Sequence, residues 1–119
     1  TNGNWTASSG YKGTTYLLGL EDRPTAIFCQ NDRMAIGCYE AIKEAGLRIP
    51  QDISVIGYDD EEIARHLHPP LCTVNLPHRT MGAFSVECIN QTRDGKPAKA
   101  PISRMDCALV LRDSVSEPD

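Results

Sequence analysis

The chain has 119 residues, enough for one domain and no more. Its 12 Lys and Arg against 16 Asp and Glu leave a net charge of −4, which excludes a segment that grips nucleic acid by itself, because phosphate binding needs a clustered basic surface. A hydrophobic share of 40% is lean for a parallel sheet covered on both faces, and no run is apolar and long enough to cross a membrane.

Residues Thr1–Gly10 are polar apart from Trp5, which stands alone in a Gly, Asn and Ser setting just before a helix. Such a Trp either covers the helix start or offers a flat apolar surface to a sugar or base. Thr6 or Ser8 is the predicted cap of a helix through Leu20, with Tyr11, Thr15/Tyr16 and Leu18/Gly19 at helical spacing. Gly19–Pro24 is an exit loop. Ala26–Gln30 and Ile53–Tyr58 are short apolar runs of the kind expected in parallel strands covered on both faces. Between them, Ala35, Cys38/Tyr39, Ile42 and Ala45 predict a helix over Asp32–Ala45, capped by Asn31 or Asp32 and stopped by Gly46. Strand, helix and strand in this order make a right-handed crossover unit.

Beyond Asp60 lie Glu61–Pro70 and a further strand at Leu71–Val74. A helix follows from Pro77 to about Thr92, with Met81, Phe84, Cys88 and Ile89 as its apolar face. Residues 93–97 form a turn, Ser103–Leu111 a last strand, and Arg112–Asp119 a loose polar tail. The five cysteines (Cys29, Cys38, Cys72, Cys88, Cys107) are odd in number and contain no Cys-x-x-Cys pair. They read as reduced, buried, cytoplasmic thiols, not as a disulfide scaffold or zinc site. The first residues carry no signal-peptide pattern.

In open α/β sheets ligands bind outside the carboxyl ends of the strands. Those ends carry Gln30-Asn31-Asp32 and Tyr58-Asp59-Asp60, and the helix from Asp32 aims its first N–H groups at the same crevice. This pattern points to a small polar ligand with hydroxyl or amine donors. The competing reading has Asn31 and Asp32 capping the helix and Asp59-Asp60 opening a turn, and spacing alone leaves both open. The four consecutive acids Asp59–Glu62 invite a metal site or a phosphorelay receiver. Neighbours on one turn point in different directions, however, and a receiver needs an earlier acidic pair. His66 and His68 have no nucleophile and acid arranged with them, so no catalytic residues and no enzyme are expected.

The run Pro24–Gly37, the run Glu44–Pro50, then Asp52–Asp60 and Pro69–Val74 together resemble the second-subdomain signature of the lac/gal repressor (LacI/GalR) family, in the same order. The likeness extends from about Gly3 to Arg112. It implies a three-layer α/β/α fold with a mostly parallel sheet, periplasmic binding protein-like I. Residues 1–76 and about 101–112 would belong to the C-terminal subdomain, and about 77–97 to a crossover helix of the other. It implies a small-molecule effector, a sugar or related polyol or nucleoside, bound by Trp5 as a ring platform, Asn31 and Asp59, with Asp32 as a further candidate. It implies a homodimer with Ile36 and Leu67 at the contact, no cofactor and no metal. DNA would be bound only through a helix-turn-helix not found here. The chain would then be a fragment whose exposed sheet edge invites self-association. Leu76 departs from the family, whose members commonly carry a polar residue there, often Gln, near the hinge. The alternative is an exported sugar-binding protein of the same fold.

Overall fold

The computed structural model describes residues 2–93 and 104–117. In chain order the elements are α1 (Ala7–Leu18), β1 (Ala26–Phe28), α2 (Asp32–Glu44), β2 (Ser54–Asp59), a 3-10 turn (Glu62–Arg65), β3 (Cys72–Asn75), α3 (His78–Arg93) and β4 (Ala108–Val110). The sheet runs β1-β2-β3-β4, and β1 with β2 and β2 with β3 pair in parallel. The chain divides into two units, Thr1–Asn75 with Leu109–Asp119, and Leu76–Ala108. The second unit contains α3, which begins one residue after the expected Pro77 and has no fully buried residue. The expected turn at 93–97 and the start of the expected last strand at Ser103 fall largely outside the described residues.

The first unit is built around α2. Asn31, not Asp32, is the cap: its Oδ1 accepts the Met34 N–H at 2.7 Å. At the other end Gly46 takes φ +73°, with its N–H on the Lys43 carbonyl and the Leu47 N–H on the Ile42 carbonyl, which closes the helix with two bonds. One face of α2, through Ala35, Cys38 and Ile42, meets Ile27, Cys29, Ile53 and Val55 from the sheet in a single core.

Two expectations change here. The first strand is not covered on both faces, although Cys72 and Thr73 of β3 are both buried. In β1 Ile27 is buried while Ala26 and Phe28 are exposed, because α2 covers one side and α1 packs chiefly on α2. On the other side Phe28 and Tyr58 meet edge to face, with ring centroids 6.4 Å apart. Nor is the end of the chain loose as far as Ser116. Ser114 is fully buried; its Oγ donates to the Val55 carbonyl at 2.6 Å and accepts the Cys72 N–H at 2.7 Å, while the Val55 N–H donates to the Ser114 carbonyl at 2.8 Å. The segment thus continues the hydrogen-bond ladder of β2 beyond the start of β3, which a composition of Ser, Asp and Glu does not announce.

The helices α1 and α2 touch backbone to backbone. A Cβ on Gly37 would lie 1.8 Å from the Ala7 carbonyl oxygen, and one on Gly10 would lie 2.0 Å from that of Met34. Alanine at a helix interior normally gains up to about 1 kcal/mol over glycine. At Gly37 the overlap with main chain outweighs that gain, since overpacking costs about 1–3 kcal/mol and neither backbone can turn aside. Gly37→Ala is therefore expected to lower the urea midpoint. An unchanged or raised midpoint would show that the two helices do not approach this closely.

Candidate functional site

The carboxyl ends of β1, β2 and β3 carry Asn31 with Asp32, Asp59 with Asp60, and Asn75. Around them several side chains hold the strand ends together.

Asp32 holds. It is fully buried; its Oδ1 accepts the Thr73 hydroxyl and its Oδ2 the Glu61 N–H, each at 2.7 Å. Desolvation is the dominant influence and raises its pKa, against the lowering effect of those bonds. With both oxygens committed, Asp32 acts behind the crevice and not as the helix cap considered above. Asn31 is also largely buried, and besides capping α2 its Nδ2 donates to the Trp5 carbonyl at 3.1 Å. That bond joins the strand end to the loop before α1.

Trp5 itself is 63% exposed and sits at φ +68°, a left-handed backbone for a bulky residue. Asp59 closes β2 opposite Asn75 with φ +108° and is half-buried. The structure therefore joins Trp5 to Asn31 directly and puts Asp59 at the same sheet end on the neighbouring strand. A groove of about 350 Å³ runs beside β1 and α1 and is lined in part by Trp5, Gln30, Cys29 and Met34. Neither Asn31 nor Asp59 lines it.

The four acids diverge, as expected of consecutive residues. Asp60 Oδ1 pairs with an Arg112 terminal nitrogen at 2.6 Å and its Oδ2 accepts from Asn75 Nδ2 at 3.0 Å, whereas Glu61 meets Arg33 Nε at 3.2 Å. Burial pushes the Asp60 carboxyl up, but the bonds and charge from Arg112 and Asn75 outweigh it and hold the carboxyl below its ordinary value of 3.8. Thr73 and Arg112 were not singled out from the sequence. A hydroxyl inside the apolar run Leu71–Val74 was a usable signal for Thr73, but nothing marked Arg112 among tail residues.

Ile36 on α2 and Leu67 beyond the 3-10 turn are half-buried, and Leu67 packs partly against the core. Cys29, Cys38 and Cys72 are buried, Cys88 is half-buried and Cys107 is exposed, all as free thiols.

Residues 2–115 match the periplasmic binding protein-like domain. The chain belongs to that family. Its sequence is 42% identical over 106 residues to the ribose operon repressor of Haemophilus influenzae, covering 89% of this chain and 32% of that one. It is 40% identical over 113 residues to the HTH-type transcriptional repressor PurR of Aliivibrio salmonicida, covering 95% and 34%. The lac repressor dimer bound to operator and an anti-inducer superimposes with a TM-score of 0.87 at 39% identity, over 95% of this chain and 39% of that one. These matches identify the periplasmic binding protein-like chain as corresponding to the effector-binding domain of LacI-family regulators. It spans about a third of the length of the curated relatives. Among the described residues no helix is long and apolar enough to cross a membrane.

Two outcomes are expected from the packing at this site. Thr73→Val removes a donor to a buried carboxylate while keeping the shape, and should cost about 1.5–3 kcal/mol in urea unfolding; a change within about 0.5 kcal/mol would deny the Thr73–Asp32 bond that weight. The second concerns acid. A carboxyl with a lowered folded pKa adds stability above its unfolded pKa and loses it as pH falls through the folded value. The stability gap between the wild type and Asp60→Asn should thus narrow as pH drops below 3.8. A gap that stays constant through acid titration would contradict the pairing.

Proposed function

We propose that this chain is the effector-binding and dimerisation part of a cytoplasmic, non-catalytic transcriptional regulator of the LacI family. The observation that carries the reading is the extent of identity with two repressors along nearly the whole chain. The same observation favours a regulator over an exported sugar-binding protein of this fold.

In this reading the effector is a sugar or a related polyol or nucleoside, held at the strand ends. Trp5 offers its ring as a platform, and its exposure beside the sheet end supports that use. Asp59 accepts paired hydroxyls or an amine. Asn31 acts chiefly by fixing the Trp5 loop through its carbonyl, and Asp32 by fixing the strand ends from below. No cofactor enters the reading. The first unit, Thr1–Asn75 with Leu109–Asp119, corresponds in this reading to the C-terminal subdomain, and the helix after Leu76 belongs to the other. Ile36 and Leu67 lie at the contact between two copies, and DNA is reached through segments outside these residues. Regulation follows if the effector binds one arrangement of the whole protein better than the other, since equal binding shifts nothing.

Asp59→Ala in the intact protein tests the site. Calorimetric titration with ribose, other monosaccharides, nucleosides and nucleobases should first find a ligand for the wild type. The variant should then lose about 1.5–3 kcal/mol, roughly tenfold or more in affinity, as expected for a charge-assisted bond in a closed cleft. Equal affinity for both proteins removes Asp59 from the site.

A further inference from the structure

We infer that Asp60 is a positioning residue that fastens both connections between the two units to the turn bearing Asp59, an inference that rests on that turn facing the effector. The chain leaves the first unit after Asn75 and returns to it at Leu109. Each oxygen of the Asp60 carboxylate takes one of these connections. Oδ2 accepts from the Asn75 side chain at 3.0 Å, on the last residue before the departure. Oδ1 pairs with Arg112 at 2.6 Å, three residues after the return.

The two grips are reinforced from behind. Arg112 also donates to the Leu71 carbonyl at 2.8 Å, and its N–H donates to Cys72 Sγ at 3.0 Å. The Asp60 N–H reaches Thr73 Oγ1 at 3.4 Å, the same hydroxyl that donates to Asp32. The side chains of Arg112 and Asp60 are only 13% and 8% exposed, so salt screens this pair far less than a surface pair.

Position in the turn matters as much as strength. Asp59 and Asp60 are consecutive residues with φ +108° and +54°, a conformation that neither prefers and that persists only where surroundings enforce it. A rearrangement of the turn at Asp59 is therefore felt at the next residue, whose carboxylate holds both connections together. Severing the carboxylate uncouples them from the turn without touching Asp59.

Amide hydrogen exchange on the intact protein, free of ligand, tests this. In Asp60→Asn the amides of 72–76 and 109–113 should exchange about tenfold faster or more, while α1 and α2 keep their wild-type rates. Asn75→Ala should loosen only the first connection. Arg112→Met should loosen chiefly the second, since Arg112 also holds the Leu71 carbonyl at the start of β3, and Arg112→Lys, which keeps the charge, should recover part of that loss. A rise spread evenly over the first unit would mark Asp60 as merely structural and overturn the inference, as would no rise or a rise at one connection alone in Asp60→Asn. Should Asp60→Asn fail to fold, the Asn75 and Arg112 variants decide: each must act more strongly on its own connection than on the other. No ligand enters this experiment, so a failure of the effector reading appears only in the Asp59 titration and leaves the exchange pattern unaffected.

Discussion

One buried carboxylate sets the terms for the rest of the first unit. Asp32 stands at the start of α2 with no exposure, and its two oxygens bind β3 through Thr73 and the turn after β2 through Glu61. An isolated carboxylate buried this way would cost several kcal/mol, so the donors around it and the N-terminal end of the helix are required, not incidental. Space for it comes from β2: a Cβ on Gly57 would lie 2.2 Å from Asp32 Oδ1. Three strand ends are thereby locked to one helix, and the polar residues above them inherit fixed positions.

Much of this architecture was legible because it follows from local rules. The α2 pattern, its cap at Asn31 and its stop at Gly46 rest on periodicity and backbone chemistry within a few residues. The first three strands were placed within a residue or two for the same reason, whereas the last, expected from Ser103, begins only at Ala108. What escaped were relations between distant residues. Glycine gives no sign in sequence that its missing side chain admits another helix, as at Gly10 and Gly37. Ser114 looks like any tail serine until the ends of β2 and β3 are seen to lack partners without it. The apolar run of β1 misled about its second face, because Phe28 is as hydrophobic as Ile27 although it points away from α2.

The candidate site was legible as a place more than as a set of contacts. The rule that ligands sit at the carboxyl ends of parallel strands located it without reference to any side chain. It did not divide the polar residues found there by task. Asn31 and Asp32 are adjacent in sequence, yet one reaches the Trp5 loop and the other lies beneath the sheet end. Asp59 and Asp60 diverge likewise, since the turn they share sends the second carboxylate toward Arg112. Such division depends on which side of the backbone each residue presents, and residue type alone carries no record of that.

The left-handed backbone at Trp5, Asp59 and Asp60 sets stability against use. Glycine adopts these angles with no steric cost, whereas non-glycine residues held there cost of order 1–3 kcal/mol each. A search for heat-tolerant variants would accordingly be drawn to glycine at Trp5 and Asp59, and the proteins it returned would fold more firmly while having shed an aromatic ring and a carboxylate from the mouth of the crevice. Robustness and the proposed recognition would thus compete at the same backbone positions.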